Sequence, residues 1–181
     1  MTIVTVKGAT ILMRSGGYFD FERPEASPFT IDDIAQGLSN ICRFAGQCDP
    51  FYSVAEHSFW CSFLVPAEHA WAALMHDAAE AFIGDMVKPL KEIMPAYRVI
   101  EKRVESAIFA RFNVPDPLPR AVREADITML ATEQLHLMRN RDDWDWTRGY
   151  EPADIRLECW KPDHAKAAFL RRFDELSGPT S

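Results

Sequence analysis

The chain lacks the features of a membrane or secreted protein. Nowhere does it hold about 18 consecutive uncharged apolar residues, the length a spanning helix needs. The opening MTIVTVKGATILMRSGG has too short an apolar run for a signal peptide and no convincing cleavage site. No CxxC occurs, and Cys42, Cys48, Cys61 and Cys159 are scattered, so free thiols are expected rather than a disulfide framework or a zinc knuckle. A reducing cytoplasm is the expected home. Basic charge is in deficit, 20 Lys and Arg against 27 Asp and Glu, for a net −7. That excludes a protein that coats a nucleic-acid polymer, which needs clustered Lys and Arg. It does not exclude a small phosphorylated ligand, because a metal can supply the positive charge locally. Strand character is confined to residues 3–21, and there are no repeats or low-complexity segments.

What remains is material for one domain. The 181 residues are 48% hydrophobic and 26% charged, an ordinary globular balance. An arm over 1–29, a helical core over 30–176 and a frayed tail over 177–181 are expected. Ile3, Val4 and Val6, then Ile11 to Met13, flank Gly8, and Gly16-Gly17 precedes YFDF, which fits a small hairpin or irregular arm. Thr30 with Asp33 reads as a capping pair that opens a helix. Ser53 with Glu56 reads as a capping box for the next. Pro66 ends that helix and starts another running to Phe82, with Gly84 as its exit. Further helices fit 95–112, closed by Pro115, Pro117 and Pro119, then 119–139 and 163–176. The Trp-rich stretch 140–162 reads as a long ordered loop. The expected fold class is all-α, a helical bundle with a small N-terminal hairpin or irregular arm.

The chemistry concentrates in AEHAWAALMHDAAEAFIGD, residues 67–85. The helix expected there is apolar on almost every side, yet His76, Asp77 and Glu80 lie inside it. A buried carboxylate without a partner costs several kcal/mol or more, so these groups need compensation, and a cation is the economical form of it. His76 and Asp77 are about 100° apart on a helix and can converge on one ion, while Glu80 lies one turn further on the same side. His57 sits in a core-facing stripe with Val54, Cys61 and Leu64, and Asp126 in one with Val122, Ala125, Met129 and Leu130. Either residue alone reads as a satisfied polar group on an apolar face. With His76 and Asp77 they make a set of two imidazoles and two carboxylates, suited to one divalent transition ion: zinc, cobalt, manganese or iron.

The order His57, then His76-Asp77, then Asp126 resembles the HD-domain metal-dependent phosphohydrolases. SVAEHS followed by MHDAAEAFIGDMVKPLK is similar to the 5′-deoxynucleotidase branch, and RFAGQCDPFYSVAEHS with the YFDF arm resembles the small phage dATP triphosphohydrolases. The resemblance implies an HD-domain bundle whose ion activates water. It implies that Glu80 is the acid/base, that Asp85 helps read the sugar, and that Arg43 contacts the phosphate. Phe44 stands where that branch has Trp after the arginine, which leaves sugar and base discrimination open. Lys88 and Lys91 are candidates to neutralise phosphates, and Phe19 and Phe21 to stack on the base. No histidine lies between Asp77 and Asp126, which argues against the two-metal members.

The expected activity is hydrolysis of a deoxynucleotide at the α-phosphorus. It leans to dATP cleaved into deoxyadenosine and tripolyphosphate, with a loosely bound Mg²⁺ bridging the phosphates. Cleavage of deoxynucleoside monophosphates is the alternative. A non-catalytic nucleotide sensor and a metal-free helical interaction protein are rivals of another class; a sensor has no need of Glu80. The expected partners are a small deoxynucleotide and further copies of the chain, with no nucleic-acid polymer and no membrane.

Overall fold

The computed structural model describes residues 8–178. Ile3, Val4 and Val6, and the last three residues of the expected tail, lie outside them. The described residues are mostly helical with one small antiparallel sheet. Among them no helix is long and apolar enough to cross a membrane.

The arm is a hairpin. β1 (Thr10–Leu12) pairs with β2 (Tyr18–Asp20) in the register Thr10 to Asp20, Ile11 to Phe19 and Leu12 to Tyr18. The N–H of Ser15, in the turn, donates to Asp33 Oδ1 at 3.2 Å and ties the hairpin to the start of α1 (Ile31–Asn40). That helix begins as the sequence implies: Thr30 Oγ1 accepts from the Asp33 N–H at 3.3 Å, and Asp33 Oδ2 accepts from the Thr30 N–H at 3.1 Å.

α2 (Val54–Cys61) is capped by Ser53, whose hydroxyl oxygen accepts from the Glu56 N–H at 3.2 Å. Only half of the expected box forms. The Glu56 carboxylate does not turn back to Ser53; it accepts the backbone N–H groups of Glu158, Cys159 and Trp160.

The single helix expected from Pro66 to Phe82 is in fact broken. A 3₁₀ turn at Ala67–His69 leads into α3 (Ala70–Met75), and a tightened turn separates it from α4 (Glu80–Ile83). Within that turn the bonds run to the third residue back: Ala78 N to Met75 O at 3.1 Å and Glu80 N to Asp77 O at 2.9 Å. In 3₁₀ geometry side chains three apart eclipse, so the break stacks Glu80 on Asp77. Gly84 makes the exit at φ 81°, a conformation that favours glycine.

The short α5 (Lys88–Glu92) was not anticipated. α6 (Pro95–Phe112) ends on Asn113 in the left-handed region, with the Val114 N–H bonded to Phe109 O at 2.9 Å. Asn113, rather than the prolines that follow, closes this helix. α7 (Arg120–Leu137) and α8 (Pro162–Ser177) flank the irregular stretch 138–161. Ser177 closes α8 and does not belong to a frayed tail.

α2 and α3 form the centre, packed against each other and against α7 and α8, while α1 covers α2, α4 and α8. One apolar cluster runs from Phe19 and Phe29 through Leu38, Leu74 and Met75 to Ile108, Met129 and Phe169. α1 and α4 approach closely at Gly37. A Cβ on Gly37 would stand 2.5 Å from the Ala81 carbonyl oxygen and 2.8 Å from its Cα. In an open helix Gly→Ala gains about 1 kcal/mol. Overpacking costs about 1–3 kcal/mol, and backbone cannot yield as a side chain does. Gly37→Ala should therefore lower stability by about 1–2 kcal/mol, read as a lower denaturant midpoint. An unchanged or raised midpoint would rule out this contact.

Candidate metal centre and its cavity

Three segments deliver the site. His57 comes from α2, His76 and Asp77 from the end of α3 and its tight turn, and Asp126 from α7. His57 is fully buried and His76 nearly so. Their Nε2 atoms lie 3.4 Å apart. Asp77 Oδ2 lies 3.2 Å from His76 Nε2 and 3.6 Å from His57 Nε2, and Asp126 Oδ1 lies 3.3 Å from His57 Nε2 and 4.0 Å from His76 Nε2.

The partners of the other ring nitrogens fix the tautomers. His76 Nδ1 lies 2.7 Å from the Ala73 carbonyl oxygen, which can only accept, so Nδ1 carries the proton. His57 Nδ1 lies 2.6 Å from Glu133 Oε1 and donates to it. With neutral rings, both Nε2 lone pairs then face two carboxylate oxygens. Four acceptors share one small volume, and among the described residues only the Cys61 thiol, 3.5 Å from His57 Nε2, and the Arg43 guanidinium, 3.7 Å from Asp77 Oδ2, offer them a donor, an arrangement that a cation or extra protons would relieve. Were protons the only relief, burial would oppose it, with Arg43 also opposing it at His57, and Asp77 beside His76 and Cys61, Glu133 and Asp126 beside His57 would still hold both rings above the usual histidine range. Burial would push Asp77 up, but His76, His57 and Arg43 hold it well below the usual carboxylate range.

A cation of ordinary size fits the spacing. Four donors at about 2.0–2.2 Å from one centre in tetrahedral array stand about 3.4 Å from each other, close to the separations above. Cys61 also comes near, with Sγ 3.5 Å from His57 Nε2. His57, Cys61 and His76 together could hold a metal ion. Burial pushes the Cys61 thiol up to about 11, so it stays protonated unless an ion displaces the proton.

Glu133 is the residue that the sequence reading missed. It is fully buried and accepts from His57 Nδ1, while Arg43 Nε and Nη2 each meet its Oε2 at 3.0 Å. A carboxylate behind a ligating histidine fixes ring orientation and raises basicity. Its signal was present: seven residues beyond Asp126, Glu133 shares that helix face. Arg43 is buried rather than a surface residue. Its Nη1 lies 3.7 Å from Asp77 Oδ2, leaving one edge toward the cavity that it helps to line.

That cavity, about 760 Å³, is of the size that small ligands occupy. Asp77, Asp126, Glu80, Asp85, Lys88 and Lys91 all line it. Glu80 is 7% exposed and its Oε2 has no hydrogen-bond partner. Burial, with Asp77 and Asp85 nearby, pushes its carboxyl well above the usual range. Burial also raises Asp85, against the pull of Arg43. Lys91 is held by Glu101 at 2.6 Å, and Lys88 is exposed. Arg98 and Lys102 of α6, which the sequence reading did not single out, line the same wall.

Two expectations are corrected. Phe19 is wholly buried, stacked on Phe82 at 3.9 Å, and Phe21 meets its edge at 5.5 Å. Both pack in the core and neither lines the cavity, because the hairpin folds its inward face onto α4. The aromatic residues at the cavity are instead Phe44, Trp144 and Trp146.

No family model matches the chain. It is 39% identical over 165 residues to the uncharacterized protein YfdR of Escherichia coli, covering 90% of this chain and 93% of that one. It is 38% identical over 191 residues to an uncharacterized protein of Rhodobacter capsulatus, covering 94% of this chain and 97% of that one.

Proposed function

This chain belongs to the same protein family as YfdR, and we propose that it is a metal-dependent phosphohydrolase of the HD-domain type that cleaves deoxynucleotides at the α-phosphorus. One observation carries the reading. Two imidazole nitrogens and two carboxylate oxygens converge at the edge of a cavity that is also lined by a buried Glu80 whose Oε2 has no hydrogen-bond partner among the described residues.

The ligands in this reading are His57, His76, Asp77 and Asp126, around one zinc, cobalt, manganese or iron ion. When bound, the ion polarises a phosphoryl oxygen and lowers the pKa of a water. Glu133 holds the His57 ring in its ligating orientation, and Arg43 neutralises Glu133 and turns its remaining edge to the phosphate. Glu80 gives its proton to the departing 5′-oxygen and recovers one from the attacking water, so the carboxyl ends as it began. Asp85 lies beside the sugar and leaves little room for a 2′-hydroxyl.

Triphosphate is favoured over monophosphate by Lys88, Lys91, Arg98 and Lys102. All four line the cavity; Lys91 is paired with Glu101 and Lys102 with Asp116 and Glu105, so Lys88 and Arg98 are the cations without a carboxylate partner among the described residues, and Mg²⁺ can bridge the phosphates there. The products from dATP are then deoxyadenosine and tripolyphosphate.

Chromatography of products from dATP, ATP and dAMP, across a metal panel, tests this. Deoxyadenosine and tripolyphosphate should form from dATP, faster than the corresponding products from ATP, and Asp85→Ala should narrow that gap. Cleavage of dAMP with no turnover of dATP under any metal would replace the triphosphate reading with the monophosphate one. Binding of dATP with no turnover of any deoxynucleotide would replace the enzyme with a sensor.

A further inference from the structure

Part of the cavity wall is aromatic and comes from two irregular segments. Phe44 follows Arg43, and Trp144 lies in the stretch 138–161 between α7 and α8. Their ring centroids are 6.4 Å apart with planes inclined at 54°. Rings at that separation and tilt touch each other directly, so a flat base enters between them only when they part. Rotation of the two planes toward parallel, with an opening between them, admits it.

The backbone beneath both rings is tied down, which leaves the opening to side-chain rotation. Phe44 has φ 57° and Ala45 φ 52°, left-handed conformations that residues with a β-carbon rarely keep unless their surroundings enforce them. On the other side, the Gln134 amide donates to the Asp142 carbonyl at 2.7 Å, and Thr132 Oγ1 accepts from the Ala153 N–H at 2.9 Å. The Glu56 carboxylate takes three backbone N–H groups at the far end of the loop, the shortest from Trp160 at 2.7 Å. Thr132 and Gln134 flank Glu133, and Glu56 precedes His57. The turns that orient the metal-site histidine therefore also anchor the loop that carries Trp144. A segment with no regular structure is thereby preorganised, which lowers the cost of ordering it around a ligand.

We infer that Phe44 and Trp144 form a slot for the base of the nucleotide, and that Trp144 sets a preference for a large flat base. The inference rests on the function proposed above and adds to it the part of the substrate that no group at the metal site reads. Stacking on an aromatic face tolerates any base but strengthens with its area, so purines gain more than pyrimidines.

The test uses the two halves of the proposed substrate, deoxyadenosine and tripolyphosphate, each titrated calorimetrically into the metal-loaded chain. Trp144→Ala should raise the Kd for deoxyadenosine roughly tenfold and leave tripolyphosphate nearly unchanged, and Trp144→Phe should recover most of the loss. A merely structural role would weaken both halves equally, and that result would overturn the slot, as would wild-type deoxyadenosine affinity in Trp144→Ala. A wild-type chain that binds no deoxyadenosine would overturn it too. If the chain cleaves dATP and Trp144→Ala leaves deoxyadenosine binding intact, the slot falls and the hydrolase stands. If the chain cleaves no deoxynucleotide yet binds deoxyadenosine through Trp144, the slot stands and the hydrolase falls.

Discussion

Glu80→Gln should keep the ion and bind dATP as before, yet lose turnover by roughly 10²-fold or more. The amide matches the carboxyl in volume, so packing at this 7% exposed position is preserved. What it loses is the proton. The eclipsed turn brings Glu80 over Asp77 with Oε2 unpartnered among the described residues, and burial pushes its carboxyl well above the usual range, toward the protonated form that the proposed role needs. An unpartnered buried oxygen has a desolvation cost that the fold tolerates without any local hydrogen bond, which fits a group whose partner arrives with the substrate. Since Glu80 is outside the set of four ligands, metal content should match wild type. Product chromatography with parallel metal analysis reads both quantities. Wild-type turnover in Glu80→Gln would pass the proton transfer to solvent or to another side chain.

Asp77→Ala should empty the site and lower thermal stability together. Asp77 supplies one of four acceptors, and its loss leaves two neutral imidazoles and a more exposed Asp126. The ion joins α2, the turn after α3, and α7, so its binding free energy counts toward folding. A ligand present at about 1,000 times its Kd stabilises by about 4 kcal/mol, a shift on the order of 10 °C for a chain of this size. Metal per chain should fall from about one to near zero, and added metal should no longer raise the melting temperature. Cys61→Ser should keep its metal, because the thiol is outside the proposed set. Full occupancy in Asp77→Ala with loss in Cys61→Ser would exchange the two residues' roles.

The helical frame was readable because its signals are local. Thr30 and Asp33 cap α1 within four residues, and α7 carries a core-facing stripe from Val122 through Ala125 and Met129 to Leu137. His76, Asp77 and Glu80 stood out because charge inside an apolar helix demands a partner. The break between α3 and α4 was not readable. Ala78 and Ala79 suit an α-helix, and the tightened turn arises from tertiary packing against α1 and from the cluster itself. Glu56 looked like a capping residue because Ser53 precedes it by three, but its partners lie about a hundred residues away, at Glu158 to Trp160. Glu133 lies two turns from Asp126 on one face, but a single acid on an otherwise mixed helix carries no local sign of the histidine and arginine it meets. Phe19 and Phe21 were assigned to the base because an aromatic pair reads alike in a core and in a pocket. Only the register of the hairpin decides which side Phe19 takes. Trp144 was hidden for the opposite reason, since an irregular loop has no period from which to read a direction.

X-ray absorption at the edge of the metal that copurifies with the chain tests the central claim most directly, because it counts ligand types without requiring turnover. A site built from His57, His76, Asp77 and Asp126 gives a single nitrogen and oxygen shell at about 2.0–2.2 Å and no sulfur. A sulfur shell at about 2.3 Å would place Cys61 in the coordination sphere and contradict the ligand set from which the proposed chemistry follows.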